Sequence, residues 1–405
     1  MLKKVFISIL LCVALALSFV ACGPAENPQT DSAGTSSNSA SVSSSDTNSD
    51  ASTDTVTDGS TATSDNVTDT VTDEGSSDAS TATEGTTTDT QDEVKKDDPY
   101  WEEDLGRKFL ACDIVNFNIV LYDLDACNGD YQNLVNNKNA IVWEWKSLFD
   151  RNCKYSPGVG IDSAKLRYSP YYGKDVVIAC SSNGWWGIID YEKCTVICEG
   201  MGPNNAHSVE MLPNGDLILG VSASQIGVYY IPITLGMTEP VSGIEAPACH
   251  GVCWDPERKC LWVLEGTGVF KATIENIGTK DAKLVRDNRS KVDLMEDADC
   301  HAFSPVYGQP GKYWVSAYEN LWIFDVETGK FTKSDDAYNV NEIKGVASFA
   351  DGTVVEAAVN LGGNAINFFA CDGFRIIEDG VATLVTFPKG GRQFYKIQPF
   401  TRNYR

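Results

Sequence analysis

An internal repeat with spacings of 43 to 51 residues is the feature that most constrains how this chain can fold. Each copy begins with a polar residue and continues as a short alternating strand, a turn with Pro, Asp, Asn or Gly, and a second strand. Third and fourth strands follow, as in LWIFDVETGKFTKS from Leu321, where a Thr-Gly turn separates them. The copies that align most clearly begin at Asp162, His207, His250, His301 and Lys344. Four-stranded units repeated at this period are typical of β-propellers.

A further unit is divided between the two ends of the repeat region. KFLACDIVNFNIVLYDL and AIVWEW supply three strands near its start, and QFYKIQPF supplies one strand near the C-terminus. Joining them into one sheet closes the ring and removes the last free strand edges, which would otherwise invite pairing with other chains. The sequence therefore predicts an all-β fold, a six-bladed β-propeller at residues 99–405, with blade 1 closed by the C-terminal strand.

The segment before the repeats resembles the start of an exported lipoprotein. Lys3 and Lys4 precede an apolar run, and the junction Ala21-Cys22-Gly23 resembles a bacterial lipobox. This pattern predicts a signal peptide at residues 1–21 and lipidation of Cys22. An uncleaved anchor helix is the alternative, although the apolar run is short for a membrane span. In both cases we expect the protein at the extracellular face of the cytoplasmic membrane, held there only by its anchor.

Residues 22–98 consist almost entirely of Ser, Thr, Asp, Ala, Gly and Asn. They offer few large apolar side chains to bury, so we expect a disordered linker. From residue 23 onward this segment carries 17 acidic and 2 basic residues, which is most of the net charge of −24. The acidic composition therefore says little about the ligand. The propeller itself is also net negative, so we do not expect it to bind nucleic acid.

Polar residues at the first position of each repeat form the candidate site. The first strand of each propeller blade lines the central channel, so these side chains should converge on one axial space. The chain has only three histidines, and all three occupy this position in successive repeats. If Lys396 in the C-terminal strand aligns with Lys165, that strand adds Gln393 to the set. The predicted column is Asp162, His207, His250, His301, Lys344 and Gln393.

Three imidazoles from neighbouring strands can bind Zn, Mn, Fe or Ni and leave positions open for water or a substrate oxygen. Asp162 or Gln393 would complete or support such a shell. Two alternatives stay open, in which the histidines hydrogen-bond a substrate without metal or only the backbone of a neighbouring blade. Lys344 is a candidate catalytic base, or an anchor for a substrate carboxylate. Cys249 and Cys300 each precede a histidine, and we expect both to pack inside, because adjacent strand residues point opposite ways.

Aromatic residues give a second set of candidates. Trp185 and Trp186 lie in the Gly-bounded stretch SSNGWWG, where paired exposed indoles would stack on a sugar ring. With Asp162 they are the candidate ligand-binding residues, and burial in the core is the alternative for both indoles. Six other tryptophans fall on predicted strands and should fill the wedges between blades: Trp143, Trp145, Trp254, Trp262, Trp314 and Trp322.

Several stretches resemble a family of bacterial exported propellers classed as a domain of unknown function. They are AHSVEMLPNGDL, CHGVCWDPERKCLWVL and SPVYGQPGKYWVS, with LACD near the start. The resemblance covers most of residues 105–400 and implies a six-bladed fold without an established reaction. The histidine column is also similar to that of oligogalacturonate lyase, a propeller enzyme, and more loosely to the His-Gly starts of streptogramin lyase repeats. The similarity to the first enzyme implies a metal shell of His207, His250, His301 and Gln393.

Three functions follow from these features. The first is a ligand-binding propeller that recognises extracellular carbohydrate at the mouth of the central channel. The second is a metal-dependent polysaccharide lyase, in which the ion polarises a uronate carboxylate and Lys344 removes the neighbouring proton. The third is a protein-interaction scaffold with structural histidines. The sequence contains no nucleophile elbow, phosphate-binding glycine loop or nucleotide fingerprint.

Overall fold

The computed structural model describes residues 105–158, 160–295, 297 and 299–402. The predicted signal peptide, Cys22 and the linker at 22–98 lie outside the described residues. Within the described ranges, 24 strands form six antiparallel sheets of four strands each. The predicted six-bladed β-propeller is therefore confirmed.

Blade 1 combines strands from both ends of the propeller, as the divided repeat predicted. It consists of β1 (Lys108–Asp113), β2 (Asn118–Asp123), β3 (Ile141–Lys146) and β24 (Phe394–Pro399). Strand β24 pairs with β1, with Leu110 opposite Gln398 and Ala111 opposite Ile397. This pairing closes the ring of blades and leaves β1 without a free edge.

The other five blades follow one another along the chain. Blade 2 consists of β4 (Ile161–Ser169), β5 (Lys174–Ser181), β6 (Trp185–Asp190) and β7 (Thr195–Met201). Blade 3 consists of β8 (Ala206–Met211), β9 (Leu217–Val221), β10 (Ile226–Ile231) and β11 (Ser242–Glu245). Blade 4 consists of β12 (Gly251–Asp255), β13 (Cys260–Glu265), β14 (Gly268–Glu275) and β15 (Lys283–Asp293). Blade 5 consists of β16 (Phe303–Pro305), β17 (Lys312–Ser316), β18 (Leu321–Asp325) and β19 (Lys330–Lys333). Blade 6 consists of β20 (Ile343–Ser348), β21 (Val354–Ala358), β22 (Gly373–Glu378) and β23 (Val381–Thr386).

Helical segments are short and lie in the connections. Among the described residues, one α-helix, α1, covers Asn133–Asn136. The 3₁₀ helices are Asp125–Cys127, Lys138–Ala140, Ser147–Phe149, Ile233–Leu235 and Asp336–Tyr338. In the part of the chain that the structure describes, no helix has the length and apolar character needed to cross a bilayer.

Each interface between neighbouring blades is filled by its own apolar cluster. Between blades 6 and 1, Phe394 packs against Phe374 with ring centroids 4.8 Å apart. The six tryptophans predicted to fill these wedges all lie on strands, and Trp145, Trp262, Trp314 and Trp322 are buried there. Trp143 and Trp254 are partly buried against the same clusters.

Trp185 and Trp186 are not exposed, so the expectation that they form a sugar-stacking surface is wrong. They begin strand β6 and are fully buried. As adjacent strand residues they point opposite ways, Trp185 into the interface between blades 1 and 2 and Trp186 into the next interface. Glycines make room for both indoles, since a Cβ atom on Gly187 or Gly200 would lie 2.3 or 2.4 Å from the respective ring.

The described cysteines are all free thiols. Cys249 and Cys300 are fully buried and belong to the clusters between blades 3 and 4 and between blades 4 and 5. The prediction that both pack inside is confirmed.

Phe394→Ala should destabilise the propeller by about 3–5 kcal/mol, because it removes a buried ring from the closing strand and leaves a cavity. Urea unfolding of the full-length chain measures this loss. Val381→Ala, at a residue 70% exposed on β23, is the matched control and should change stability by about 0.5 kcal/mol or less. Equal stabilities of the two variants would contradict the closure of blade 1 by β24.

Candidate functional site

The residues at the first position of the repeats converge at one end of the central channel. Each inner strand starts at this face, because the strands of a blade are antiparallel and the chain enters every blade from the same side. The ring centroids of His207 and His250 are 4.9 Å apart, and those of His250 and His301 are 4.5 Å apart. Three residues that are more than 40 positions apart in sequence are thus neighbours in space.

Blade 1 contributes Tyr395, and not Gln393, to the group of first-position residues at the channel mouth. In blades 2, 3 and 6 the column residue sits on a register shift of the inner strand, as at His207 between Ala206 and Ser208. In β24 the corresponding shift lies opposite Cys112, which aligns Tyr395 with His207. The centroid of the Tyr395 ring is 5.2 Å from that of His207.

The predicted alignment of Gln393 was therefore wrong by two residues. A shift of two keeps the alternation of side chains along a strand, so matching Lys396 with Lys165 did not fix the register. The side-chain amide of Gln393 is engaged elsewhere: Gln393 Oε1 accepts from Ile366 N at 2.8 Å, and Nε2 donates to Asn364 O at 2.7 Å. We define the mouth ring as Asp162, His207, His250, His301, Lys344 and Tyr395.

An unusual backbone conformation precedes five of the six ring residues. Two positions before each of them the backbone has a positive φ, which side-chain-bearing residues rarely adopt. The residues are Gly160 (120°), Asn205 (70°), Ala248 (54°), Asp299 (68°) and Glu342 (59°). For residues such as Ala and Glu this conformation costs about 1–3 kcal/mol and persists only where the surrounding structure enforces it.

The positive-φ residues before His250 and His301 fix the tautomers of these two histidines. Nδ1 of His250 lies 3.0 Å from the carbonyl oxygen of Ala248, and Nδ1 of His301 lies 2.9 Å from that of Asp299. A carbonyl oxygen only accepts, so both Nδ1 atoms carry the proton and both Nε2 atoms are acceptors. Lys344 Nζ donates to His301 Nε2 at 3.1 Å.

Lys396 crosses the channel beneath the ring. It belongs to blade 1 but donates to the carbonyl oxygen of His207 in blade 3 at 2.9 Å, and to that of His250 in blade 4. Its side chain is 2% exposed. From the sequence we used Lys396 only to align the C-terminal strand with the other inner strands. Its place in the site follows from the pairing of β24 with β1, which contains the FLACD stretch.

Burial and positive charge keep the three histidines neutral. Desolvation and the nearby Lys396 lower the pKa of His250 to about 3. Burial, with His250 and the two lysines nearby, also lowers the pKa of His207 and His301 well below the usual value. Desolvation lowers the pKa of Lys396 itself to about 8, so its ammonium form still predominates at neutral pH.

Asp162 is the only carboxyl group in the mouth ring. Burial raises the pKa of Asp162 to about 7, against the opposing effects of Ser182 and Lys396. Its Oδ2 atom is buried without a hydrogen-bond partner among the described residues, and the same is true of His207 Nδ1. Two polar atoms of the ring are therefore left for a ligand or for solvent to satisfy.

A buried ion cluster lies farther along the inner strands, between β4 and β8. Glu210 accepts from Arg167 Nε at 2.6 Å and from Lys165 Nζ at 3.1 Å. Lys165 also donates to the carbonyl oxygen of Val252 in blade 4 at 2.6 Å. Burial alone would raise the pKa of Glu210, but these two cations lower it to about 2.

The mouth ring places ammonium groups beside its imidazoles. Across residues 105–158, 160–295, 297 and 299–402, no three His, Cys, Asp or Glu side chains are grouped so as to hold one ion. At His301 the Nε2 lone pair already accepts from an ammonium group. The arrangement combines two ammonium groups and three neutral imidazoles with one carboxyl group, Asp162, and the ammonium groups suit an anionic ligand.

The model of a family of unknown function, DUF6528, matches residues 135–361. This chain belongs to the DUF6528 family. The matched range contains five of the six ring residues, and Tyr395 lies beyond it. The expected membership in a propeller family of unknown function is confirmed, and no curated protein matches the chain in sequence.

Solved structures match this chain at low identity. A structure described as dihydro-heme d1 dehydrogenase NirN in complex with DHE is 13% identical, with a TM-score of 0.40 over 73% of this chain. This DUF6528 chain spans 57% of that protein's length. A functionally unknown protein from Desulfotomaculum acetoxidans is 10% identical over 73% of this chain and 99% of its own, with a TM-score of 0.44. Kuenenia stuttgartiensis hydrazine synthase is 12% identical over 65% of this chain and 70% of its own, with a TM-score of 0.42. Likenesses this distant do not extend to function.

Labelling the full-length chain with ¹⁵N-histidine tests the electrostatics of the ring directly. At pH 5 an ordinary histidine, with a pKa of about 6.5, is almost fully protonated. Because their pKa values are lowered, we expect all three rings to be neutral at this pH, with His250 and His301 protonated on Nδ1. Lys396→Met should raise the pKa of His250. Imidazolium signals in the folded parent at pH 5 would contradict this account.

Proposed function

We propose that this protein is a ligand-binding propeller that captures the acidic end of an extracellular glycan at the mouth of its central channel. The observation that carries the proposal is the pair of buried ammonium groups, Lys344 and Lys396, placed among three neutral imidazoles. A carboxylate entering the ring would form charge-assisted hydrogen bonds, which are about twice as strong as neutral ones.

The neutral histidines support the same ligand. A protonated imidazole would bind anions without discrimination, whereas the neutral imidazole of His250, with its proton on Nδ1, offers Nε2 as an acceptor to a hydroxyl donor. A uronate sugar carries both a carboxylate and hydroxyl groups. Asp162 Oδ2 and His207 Nδ1 add two buried polar atoms that a polyhydroxylated ligand would satisfy.

The predicted N-terminal segment gives this binding a location. With a signal peptide at residues 1–21, a lipidated Cys22 and a long acidic linker, the propeller would extend from the outer face of the cytoplasmic membrane toward wall or extracellular glycans. Membrane attachment would run through the lipid alone.

Metal binding and lyase activity stay predictions. The Nε2 atom of His250 suits a transition metal, and Lys344 is near enough to act beside it. However, an ion bound by His301 would displace the Lys344 ammonium group from Nε2 and lie close to Lys396. This cost is why we favour an anionic ligand. The interaction scaffold also stays a prediction.

Calorimetric titration of the full-length chain with galacturonate and with glucose tests the proposal. We expect galacturonate to bind and glucose to bind far more weakly, since glucose lacks the carboxylate. Lys344→Met should weaken galacturonate binding by about tenfold or more, because it removes a buried charged partner. Lys283→Met, at an exposed position on β15, should leave binding unchanged.

Equal affinity for the two sugars, or an unchanged affinity in a folded Lys344→Met variant, would overturn the proposal. Release of unsaturated uronate products from polygalacturonate would instead favour the lyase.

A further inference from the structure

One connection in blade 6 is much longer than its counterparts. The second and third strands of blades 1 to 5 are joined by two to four residues, at 114–117, 182–184, 222–225, 266–267 and 317–320. In blade 6 the connection runs over 359–372, fourteen residues without helix or strand. Irregular segments of this length in compact domains are uncommon and usually functional. We call residues 359–372 the blade 6 insertion.

This insertion lies on the same face as the mouth ring. Connections between second and third strands emerge at the face where the inner strands start. Gln393 at the start of β24 holds the backbone of Asn364 and Ile366, and the Phe369 ring lies 6.3 Å from that of Tyr395. The base of the insertion is thus anchored to a residue of the ring.

The tip of the insertion remains exposed. Buried Asp372 accepts from the backbone of Gly362 at 3.0 Å and of Asn364 at 2.7 Å, which fixes the first half of the segment. Phe368 is nevertheless 52% exposed, and Tyr318 in the neighbouring blade 5 connection is 45% exposed. Aromatic side chains that an ordered segment keeps exposed to solvent are available to contact a ligand.

These elements border an open cleft of about 390 Å³, which falls in the size range of small-molecule sites. Its lining includes the aromatic residues Tyr318 and Phe368, the amides Asn341, Asn360 and Asn367, and the carboxylate Glu342. Glu342 Oε2 also lies 3.8 Å from Lys344 Nζ, so the cleft and the mouth ring share a wall.

Two of the amides are already oriented. Asn360 Oδ1 accepts from Ala365 N at 3.4 Å, and Asn367 Oδ1 accepts from Phe369 N at 3.1 Å. Their oxygens are directed at the insertion backbone, which leaves the amide NH₂ groups as donors. Ordered amide donors beside an aromatic face match a pyranose ring, which has hydroxyl edges and an apolar C–H face.

We propose that this cleft is a sugar-binding subsite, so that an acidic oligosaccharide places its terminal carboxylate at the mouth ring and its next sugar against Phe368 and Tyr318. This inference rests on the proposed function and adds the class of ligand: an oligomer longer than one uronate. The aromatic faces would bind the sugar's C–H face, and the amides would bind its hydroxyl groups.

Calorimetric titration of the full-length chain with galacturonate and with trigalacturonate tests the subsite. We expect the parent to bind the trimer about tenfold more tightly than the monomer. Phe368→Ala should weaken trimer binding by about tenfold and change monomer binding less than twofold. Tyr318→Ala should act in the same direction. Ile366→Ala removes an exposed side chain of the same insertion that does not line the cleft, so it should leave both affinities unchanged.

The possible failures are distinguishable. Monomer binding without a gain for the trimer, or trimer binding unaffected by Phe368→Ala and Tyr318→Ala, would overturn the subsite and leave the proposed function standing. A parent that binds neither probe would overturn the proposed function and the subsite with it.

Discussion

The ammonium group of Lys396 ties opposite sides of the propeller together beneath the mouth ring. From blade 1 it reaches backbone carbonyls of blades 3 and 4, and in doing so places a positive charge under two of the three histidines. That charge, with desolvation, keeps the imidazoles neutral. The same bonds depend on β24 being correctly paired with β1, so the closure of the fold and the electrostatics of the site share one strand.

The net charge of the chain and the charge at the channel mouth have opposite signs. The chain is strongly acidic, yet most of that charge lies in the predicted linker, and the channel mouth presents buried lysines. Such a site would select an anion by geometry and desolvation rather than by long-range attraction. The blade 6 insertion adds uncharged contacts beside this site. The mouth ring would then bind the carboxylate of the ligand, and the cleft would bind the next sugar.

Features that depend on periodicity could be predicted from the sequence. The repeats predicted the blades, the divided unit predicted β24 beside β1, and the first position of the repeats predicted that His207, His250 and His301 would meet. Features that depend on strand register or on side-chain direction could not. A two-residue difference in the register of β24 placed Tyr395 in the ring where Gln393 was predicted, and strand alternation buried Trp185 and Trp186 on opposite faces. The cleft could not be predicted from the sequence, because its residues come from three separate connections that are brought together only when the blades assemble.

The most direct test of the account is a crystal structure of the protein with bound trigalacturonate. The account predicts a carboxylate of the ligand within hydrogen-bonding distance of Lys344 Nζ at the channel mouth, with the adjoining sugar against Phe368. Trigalacturonate bound at the outer rim of the blades or at the opposite face, with the mouth ring unchanged, would contradict it.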